Sequence, residues 1–463
     1  MLRSACRRIG RAALTALVAG ALAASAGTAA LAQQAGRSIV RDAETEALLQ
    51  DYLRPIFKAA GIRSGSVEVL LIPDPSFNAF VANGRQMFVN TGAIIDSKVP
   101  NELIGVLAHE TGHLAGGHLA RLREQLERAK TLALIGGLAG MAVSVGGAIG
   151  GSADTARAGM GLGAGVGEIA RRNLLAYARS EEYAADQSAL QYLAATGQSA
   201  AGMLTTFRRF AEDTMFLSRR VDPYAQSHPM PTERIDQIEA AAKASPSWGA
   251  RDSAQLIARH DLVRAKLVGF TEQPQLAMRR YPMTDRSLPA RYARAVVAYR
   301  LGNAADALRQ VDGLIKASPN FPYFHELKGQ ILLETGRPRE AVPPLRKAVS
   351  LASSSGLLKV LLGHALVETG DPKNVDEAVK NLTVGLQADP NFSIGYRQLA
   401  RAYAMRGDTA LAELATAQGD FVEGEIKDAK MHAQRAQNGL KRGSPGWLRA
   451  DDILTYQPPP KTR

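Results

Sequence analysis

The first half of the chain switches between two patterns of apolar spacing. Residues 43–60 repeat at helical spacing and predict an amphipathic helix, kinked or broken near Pro55. Val67–Ile72 is a β-rich run bounded by Gly65 and Pro73. Gln86–Asn90 predicts a second short strand after the Asn83-Gly84 turn signal, with Asn78-Ala79-Phe80 joining the two. Pro100-Asn101-Glu102 then opens a helix, with proline and an acid in its first turn. Leu103, Ile104, Val106, Leu107, Ala108 and Leu114 surround its polar residues and predict a buried helix. Leu174–Leu193, Ala200–Leu217 and Thr232–Ala242 read as further helices, and 243–289 as a poorly patterned connector.

Thr131–Gly151 contains no charged residue and is long enough to span a bilayer, yet it is rich in glycine, which weakens an isolated helix. Together with the Gly-rich run Gly159–Gly167 it admits three readings. These are a transmembrane hairpin, a membrane-touching or mobile loop, and a packed helical pair over the active site.

The last third repeats. Gly302, Gly336 and Gly370 stand 34 residues apart, and Gly407 follows at a slightly longer interval. Ala307, Ala341, Ala378 and Ala412 follow these glycines in turn, and the extra residues of the third unit lie between Gly370 and Ala378. A 34-residue helix–turn–helix period with small residues at packing positions is the signature of tetratricopeptide (TPR) repeats.

Composition adds bounds. The 463 residues are 46% hydrophobic and 22% charged, an ordinary globular balance with room for more than one domain. The formal net charge is +12, but the excess is spread out with no dense basic block, which argues against nucleic-acid binding. Arg3, Arg7, Arg8 and Arg11 precede an apolar stretch, Ala12–Ala24, and Ala30-Leu31-Ala32 is a small-x-small cleavage site. Residues 1–32 thus read as a signal peptide for export. Cys6 is the only cysteine, so the exported chain would hold no disulfide and no catalytic thiol.

The strongest chemical signal is His109-Glu110-Thr111-Gly112-His113, an H-E-x-x-H motif. Residues four apart on a helix share a face, so His109 and His113 can grip one ion while Glu110 reaches a water on it. A hydrolytic zinc site usually takes three protein ligands. His118 is one position short of a third histidine at 119, where Leu119 stands, and so reads as structural or surface. Glu182 and Asp186 lie four apart on a later helix, which lets Glu182 bind metal while Asp186 orients a ligand histidine. Spacing alone leaves Glu181 as a competing ligand. Flanking Leu174, Leu175, Tyr177, Tyr183 and Leu190 suggest that this helix is largely buried.

HETGH, the E-x-x-x-D helix, Asn78-Ala79-Phe80 and the stretch from Ser227-His228-Pro229 to Arg234 together resemble the gluzincin family that includes HtpX and the CAAX prenyl protease. The signal peptide and TPR units narrow the resemblance to periplasmic BepA-like zinc metalloproteases. It implies an α+β, mostly α, fold: a zincin-like metallopeptidase domain with a small β-sheet over 33–242, then a C-terminal TPR α-solenoid over 290–440 and a loose tail from 441. It implies one zinc per chain, with His109, His113 and Glu182 as ligands and Glu110 as base. His228 is either a fourth ligand that displaces the water or a cleft residue contacting substrate. His228 or Arg234 stabilises the oxyanion, or Arg234 is structural. Substrate backbone would lie along an edge strand near Gln86–Asn90. The implied clients are unfolded or misassembled polypeptides, and the TPR region would meet the outer-membrane protein assembly machinery. The implied location is the periplasm, with peripheral membrane contact.

Overall fold

The computed structural model describes residues 39–458, apart from 64, 150–152, 217–223, 225 and 226. The expected signal peptide lies outside the described residues.

Helix α1 (Ala43–Ala59) is capped by Asp42, whose side chain accepts from Thr45 N. It runs through Pro55 without ending, so the expected break is not there. Strands β1 (Glu68–Ile72), β2 (Ala79–Ala82) and β3 (Gln86–Asn90) form a sheet in the order β1-β3-β2. Asn83 and Gly84 both take positive φ, 53° and 67°, in the turn that folds β2 back antiparallel onto β3. β3 pairs with β1 in parallel. Ala79–Ala82 is therefore a strand rather than a joining segment. Gln86–Asn90 is also the central strand, with both backbone edges already paired, so it offers no edge to a substrate. The outer strand on the side of the metal-motif helix is β2.

Helices α2 (Thr91–Asp96) and α3 (Pro100–Gly116) follow. Next come α4 (His118–Ile149) and α5 (Ala153–Ala195), which pack on each other as a long hairpin. Among the described residues, no helix is long and apolar enough to cross a membrane. The helices α6 (Ala201–Phe216) and α7 (Thr232–Ala244) complete this half. Leu175 and Tyr183 on α5 are exposed, so that helix is not buried all round as their apolar character suggests. Among its described residues a stripe including Ala185, Asp186, Ala189 and Leu193 faces the core.

The expected connector contains α8 (Ala254–Thr271) and α9 (Pro274–Arg280). Their pattern is hard to read because polar residues sit inside. His260 is fully buried between Tyr52 Oη, 2.9 Å from Nδ1, and the Ser97 carbonyl, 2.8 Å from Nε2. Lys266 is buried too.

From residue 288 the helices come in pairs: α10 (Leu288–Arg300) with α11 (Ala304–Ala317), α12 (Pro322–Glu334) with α13 (Pro338–Leu351), α14 (Gly356–Glu368) with α15 (Val375–Ala388), and α16 (Ser393–Arg406) with α17 (Thr409–Glu423). Gly302, Gly336, Gly370 and Gly407 each adopt positive φ where the first helix of a pair ends, which explains their regular spacing. A short 3-10 turn, Pro372–Asn374, absorbs the extra residues of the third unit. Gly329 and Gly363 admit their partner helices closely; a Cβ there would lie 2.4 Å from Leu345 and 2.5 Å from Leu382. The chain closes with α18 (Ile426–Gly439) and α19 (Pro445–Thr455). The expected loose tail is thus helical up to 455. Ser444 caps α19, Pro445 sits at its first position, and Ala450 and Ile453 are buried in the last apolar cluster.

The two halves are joined by a buried ionic cluster. Lys266 Nζ on α8 lies 2.5 Å from Asp42, 3.4 Å from Glu44 and 3.3 Å from Glu326, while Tyr292 Oη donates to Glu44 at 2.8 Å. Arg41 adds an ion pair to Asp389 at 2.5 Å. Three carboxylates thus face one ammonium. Asp42 is held below its usual range: its burial opposes this, but Lys266 outweighs it. Burial pushes Glu44 and Glu326 up, each to about 7, against the pull of Lys266. Glu326 therefore keeps its proton in the fold where the unfolded chain has lost it. That stabilising contribution is present below the unfolded value of 4.5 and is lost as pH rises through about 7. Glu326→Gln is expected to raise the melting temperature at about pH 8, by on the order of 1–3 kcal/mol of stability, and to leave it unchanged near pH 4. A Glu326→Gln protein less stable than the parent at the higher pH would refute this account.

Candidate metal centre

Helix α3 carries the motif near its C-terminal end, in the last buried turn before the helix leaves the core. Glu102 accepts from Lys98 N at 2.7 Å in the first turn. Gly117, at φ 64°, ends the helix and redirects the chain, so His118 opens α4 instead of extending the α3 face. His109 and Glu110 are essentially inaccessible, and His113 is buried.

Two helices cross α3 at its glycines. A Cβ on Gly105 would lie 2.5 Å from Met203 Cβ on α6. A Cβ on Gly112 would lie 2.7 Å from the Ala185 carbonyl oxygen and 2.9 Å from its Cα on α5. The second crossing brings Glu182 and Asp186 up to the histidines. A glycine inside a helix costs about 1 kcal/mol against alanine, so Gly112 was a signal in the sequence for this close approach.

The ligand atoms converge. One atom each of His109, His113, Glu182 and His228 lies within 4.8 Å of all the others. His113 Nε2 is 3.0 Å from His109 Nε2 and 3.2 Å from Glu182 Oε1. His228 Nδ1 is 2.9 Å from Glu182 Oε2 and 3.3 Å from His109 Nε2. His228 Nε2 faces Glu110 Oε1 at 3.5 Å. Glu181 points elsewhere, to His118 at 2.9 Å and Arg121 at 2.8 Å.

Behind the cluster, His109 Nδ1 lies 2.9 Å from Asp186 Oδ1. Arg234 donates to both Asp186 oxygens, at 2.6 and 2.8 Å, and to the Pro229 carbonyl at 2.9 Å. Its Nη1 also lies 2.9 Å from Glu182 Oε2. The guanidinium is therefore committed to holding carboxylates. Tyr224 was not singled out from the sequence. It stacks on His228 at 4.6 Å between ring centroids and donates to Glu110 Oε1 at 3.2 Å. No local pattern marks it; only the fold brings it there.

The charges favour a cation. Burial by itself would raise Glu182, but His228, His109 and His113 hold its carboxyl well below the usual range. Burial likewise pushes Asp186 up, and Arg234 and His109 overcome it to keep that carboxylate ionised. Burial lowers His113 to about 3, leaving a neutral ring able to offer a lone pair. Burial opposes a charge on His109, yet Asp186 and Glu182 raise it to about 9. Two carboxylates that attract a proton there also attract a metal ion. Burial raises Glu110, against the charges of His228 and His109. The donor set, three imidazoles and one carboxylate, suits zinc.

Gly112→Ala is expected to force the α3–α5 crossing apart, costing roughly 1–3 kcal/mol of stability and weakening divalent-metal binding with it. Calorimetric melting and metal stoichiometry read the two effects, and full retention of both would dismiss the crossing as a constraint.

The family description "Peptidase family M48" matches residues 18–242. The beta-barrel assembly-enhancing protease of Escherichia coli (strain K12) is 22% identical over 408 residues, covering 86% of this chain and 80% of that protein. The protein of that name from Yersinia pestis is 24% identical over the same length, covering 86% of this chain and 81% of its own. Among solved structures, the TPR protein YrrB matches 38% of this chain and 92% of its own at 19% identity, with a TM-score of only 0.32. The repeat assignment therefore rests on the helix pairs themselves. Residues 18–242 thus match peptidase family M48, and with the likeness to beta-barrel assembly-enhancing proteases the chain is a metalloprotease.

Proposed function

We propose that the chain is a zinc-dependent endopeptidase of cell-envelope protein quality control, exported to the periplasm by residues 1–32. The observation that carries the chemistry is the convergence of His109, His113, Glu182 and His228 beside buried Glu110. When bound, zinc supplies Lewis acidity toward a water and a peptide carbonyl. Glu110, buried beside the cluster, would take the proton from the attacking water and return it to the leaving amine. Tyr224 orients Glu110 by its hydrogen bond. Asp186 orients His109, and Arg234 locks Asp186 and Glu182 in place. The outer strand β2 offers the free edge along which an extended substrate can lie.

His228 supports a second reading. Its Nδ1 sits among the candidate ligand atoms, where it would take the fourth place that a water fills when three residues hold the metal. The protease is then latent until the loop carrying His228 moves, and the chain can serve mainly as a TPR chaperone or assembly scaffold. The likeness to beta-barrel assembly-enhancing proteases supports misfolded or stalled outer-membrane proteins as clients, recruited with the assembly machinery through the TPR surface. Cleavage of an unfolded polypeptide separates the readings. Glu110→Gln is expected to abolish cleavage with zinc retained, and His228→Ala to increase it. Cleavage that survives Glu110→Gln would end the peptidase assignment, and a His228→Ala protein no faster than the parent would end the latent state.

The hairpin supports peripheral membrane contact as well. Leu132, Leu134, Ile135, Leu138 and Met141 on α4 are all more than half exposed, within a stretch that carries no charge. Leu134→Asp/Leu138→Asp is expected to abolish flotation of the mature protein with phospholipid vesicles. Unchanged flotation, or none by the parent, would exclude this contact.

A further inference from the structure

His113 turns Nε2 toward the ligand cluster, which leaves Nδ1 on the far side of the ring. That nitrogen lies 2.9 Å from His118 Nδ1. The opposite nitrogen of the second ring, His118 Nε2, lies 2.9 Å from Glu181 Oε2. Arg121 Nη2 sits 2.8 Å from the same oxygen. His118 is itself buried. The approach is tight: a Cβ on Gly116 would lie 2.2 Å from His118 Nε2, so the bare glycine makes room for the ring to fold back over the end of α3.

We propose that Glu181 and His118 form a positioning relay that fixes the tautomer and orientation of His113 as a metal ligand. The inference rests on the zinc-site reading above. Counting protons shows why the two rings fit. An imidazole that offers its Nε2 lone pair to a cation carries its proton on Nδ1. His113 Nδ1–H then donates to His118 Nδ1, which must be bare. The proton of neutral His118 is consequently on Nε2, where it donates to Glu181. Each neutral ring carries one proton and each contact has one donor and one acceptor. A metal-bound histidine commonly has a carboxylate behind it. His109 has Asp186 directly; His113 reaches Glu181 through an intervening imidazole. Arg121 holds Glu181 as Arg234 holds Asp186. The relay also gives roles to the two residues that sequence spacing left as rival ligands, since His118 and Glu181 face each other.

Zinc affinity of the full exported protein, measured by competition with a chromogenic chelator, tests the relay, with the melting temperature of the metal-free protein recorded alongside. His118→Leu removes the acceptor and is expected to weaken zinc binding about 10–100-fold. His118→Asn keeps an acceptor oxygen near the place of Nδ1 and should recover much of that loss, which a packing role would not predict. Glu181→Gln should weaken binding several-fold in the parent and have no further effect in the His118→Leu background. Parent-like affinity in a folded His118→Leu protein, or an undiminished Glu181→Gln effect in the double variant, overturns the relay and leaves the metallopeptidase reading intact. Should His118→Leu not fold, the loss from Glu181→Gln and its absence in the His118→Asn background decide the matter. A parent protein that binds no zinc overturns both.

Discussion

The close crossing of α3 and α5 is the constraint on which the site depends. It occurs at Gly112, inside the metal motif, where any side chain would collide with the backbone of Ala185. One crossing does two jobs. It buries the histidine face of α3, and it carries Glu182 and Asp186 to opposite ends of His109. Meeting backbone to backbone at Gly112 lets a distant helix bring a carboxylate up to the two histidines. Interiors are close-packed, so a shift of even one methyl group would be transmitted to the ligand atoms.

Such a site is expensive to hold without a counter-charge. Glu110, Glu182 and Asp186 are all buried or nearly so, and among the described residues Arg234 supplies the permanent positive charge that touches Glu182 and Asp186. The remaining compensation comes from histidines that share protons with the carboxylates, and a divalent cation would complete it. The ionic cluster around Lys266 shows the same economy in a structural setting. There the excess negative charge is relieved by raising two carboxyl groups, and the cluster ties the first helix of the peptidase half to the repeat array.

Much of this was legible along the chain because it depends on local periodicity. The histidine pair, the Asn83-Gly84 turn and the glycines that end the first helix of each repeat are set by backbone geometry over a few residues. Elements whose identity depends on distant partners were not legible. Ala79–Ala82 is a strand only because β3 pairs with it, and Gln86–Asn90 is central only because β1 returns to its other side. Residues 254–271 hide their helical pattern because His260 and Lys266 are buried with partners from elsewhere in the chain. The helix over 445–455 begins within a Ser-Pro-Gly sequence that reads equally well as a break.

The sequence by itself determined the chemistry at hand: two histidines on one helical face with a glutamate beside the first, an acidic pair on a later helix, and a 34-residue repeat. Those follow from helical spacing, which is the same in any fold. The tertiary structure decided which acid joins the histidines. Glu182 and Glu181 are adjacent in sequence, and only the azimuth of α5 where it crosses Gly112 turns one toward His113 Nε2 and the other toward His118. It also decided that His228 enters the cluster and that Tyr224 meets Glu110, because both stand more than 100 residues along the chain from those partners and are brought to them by packing.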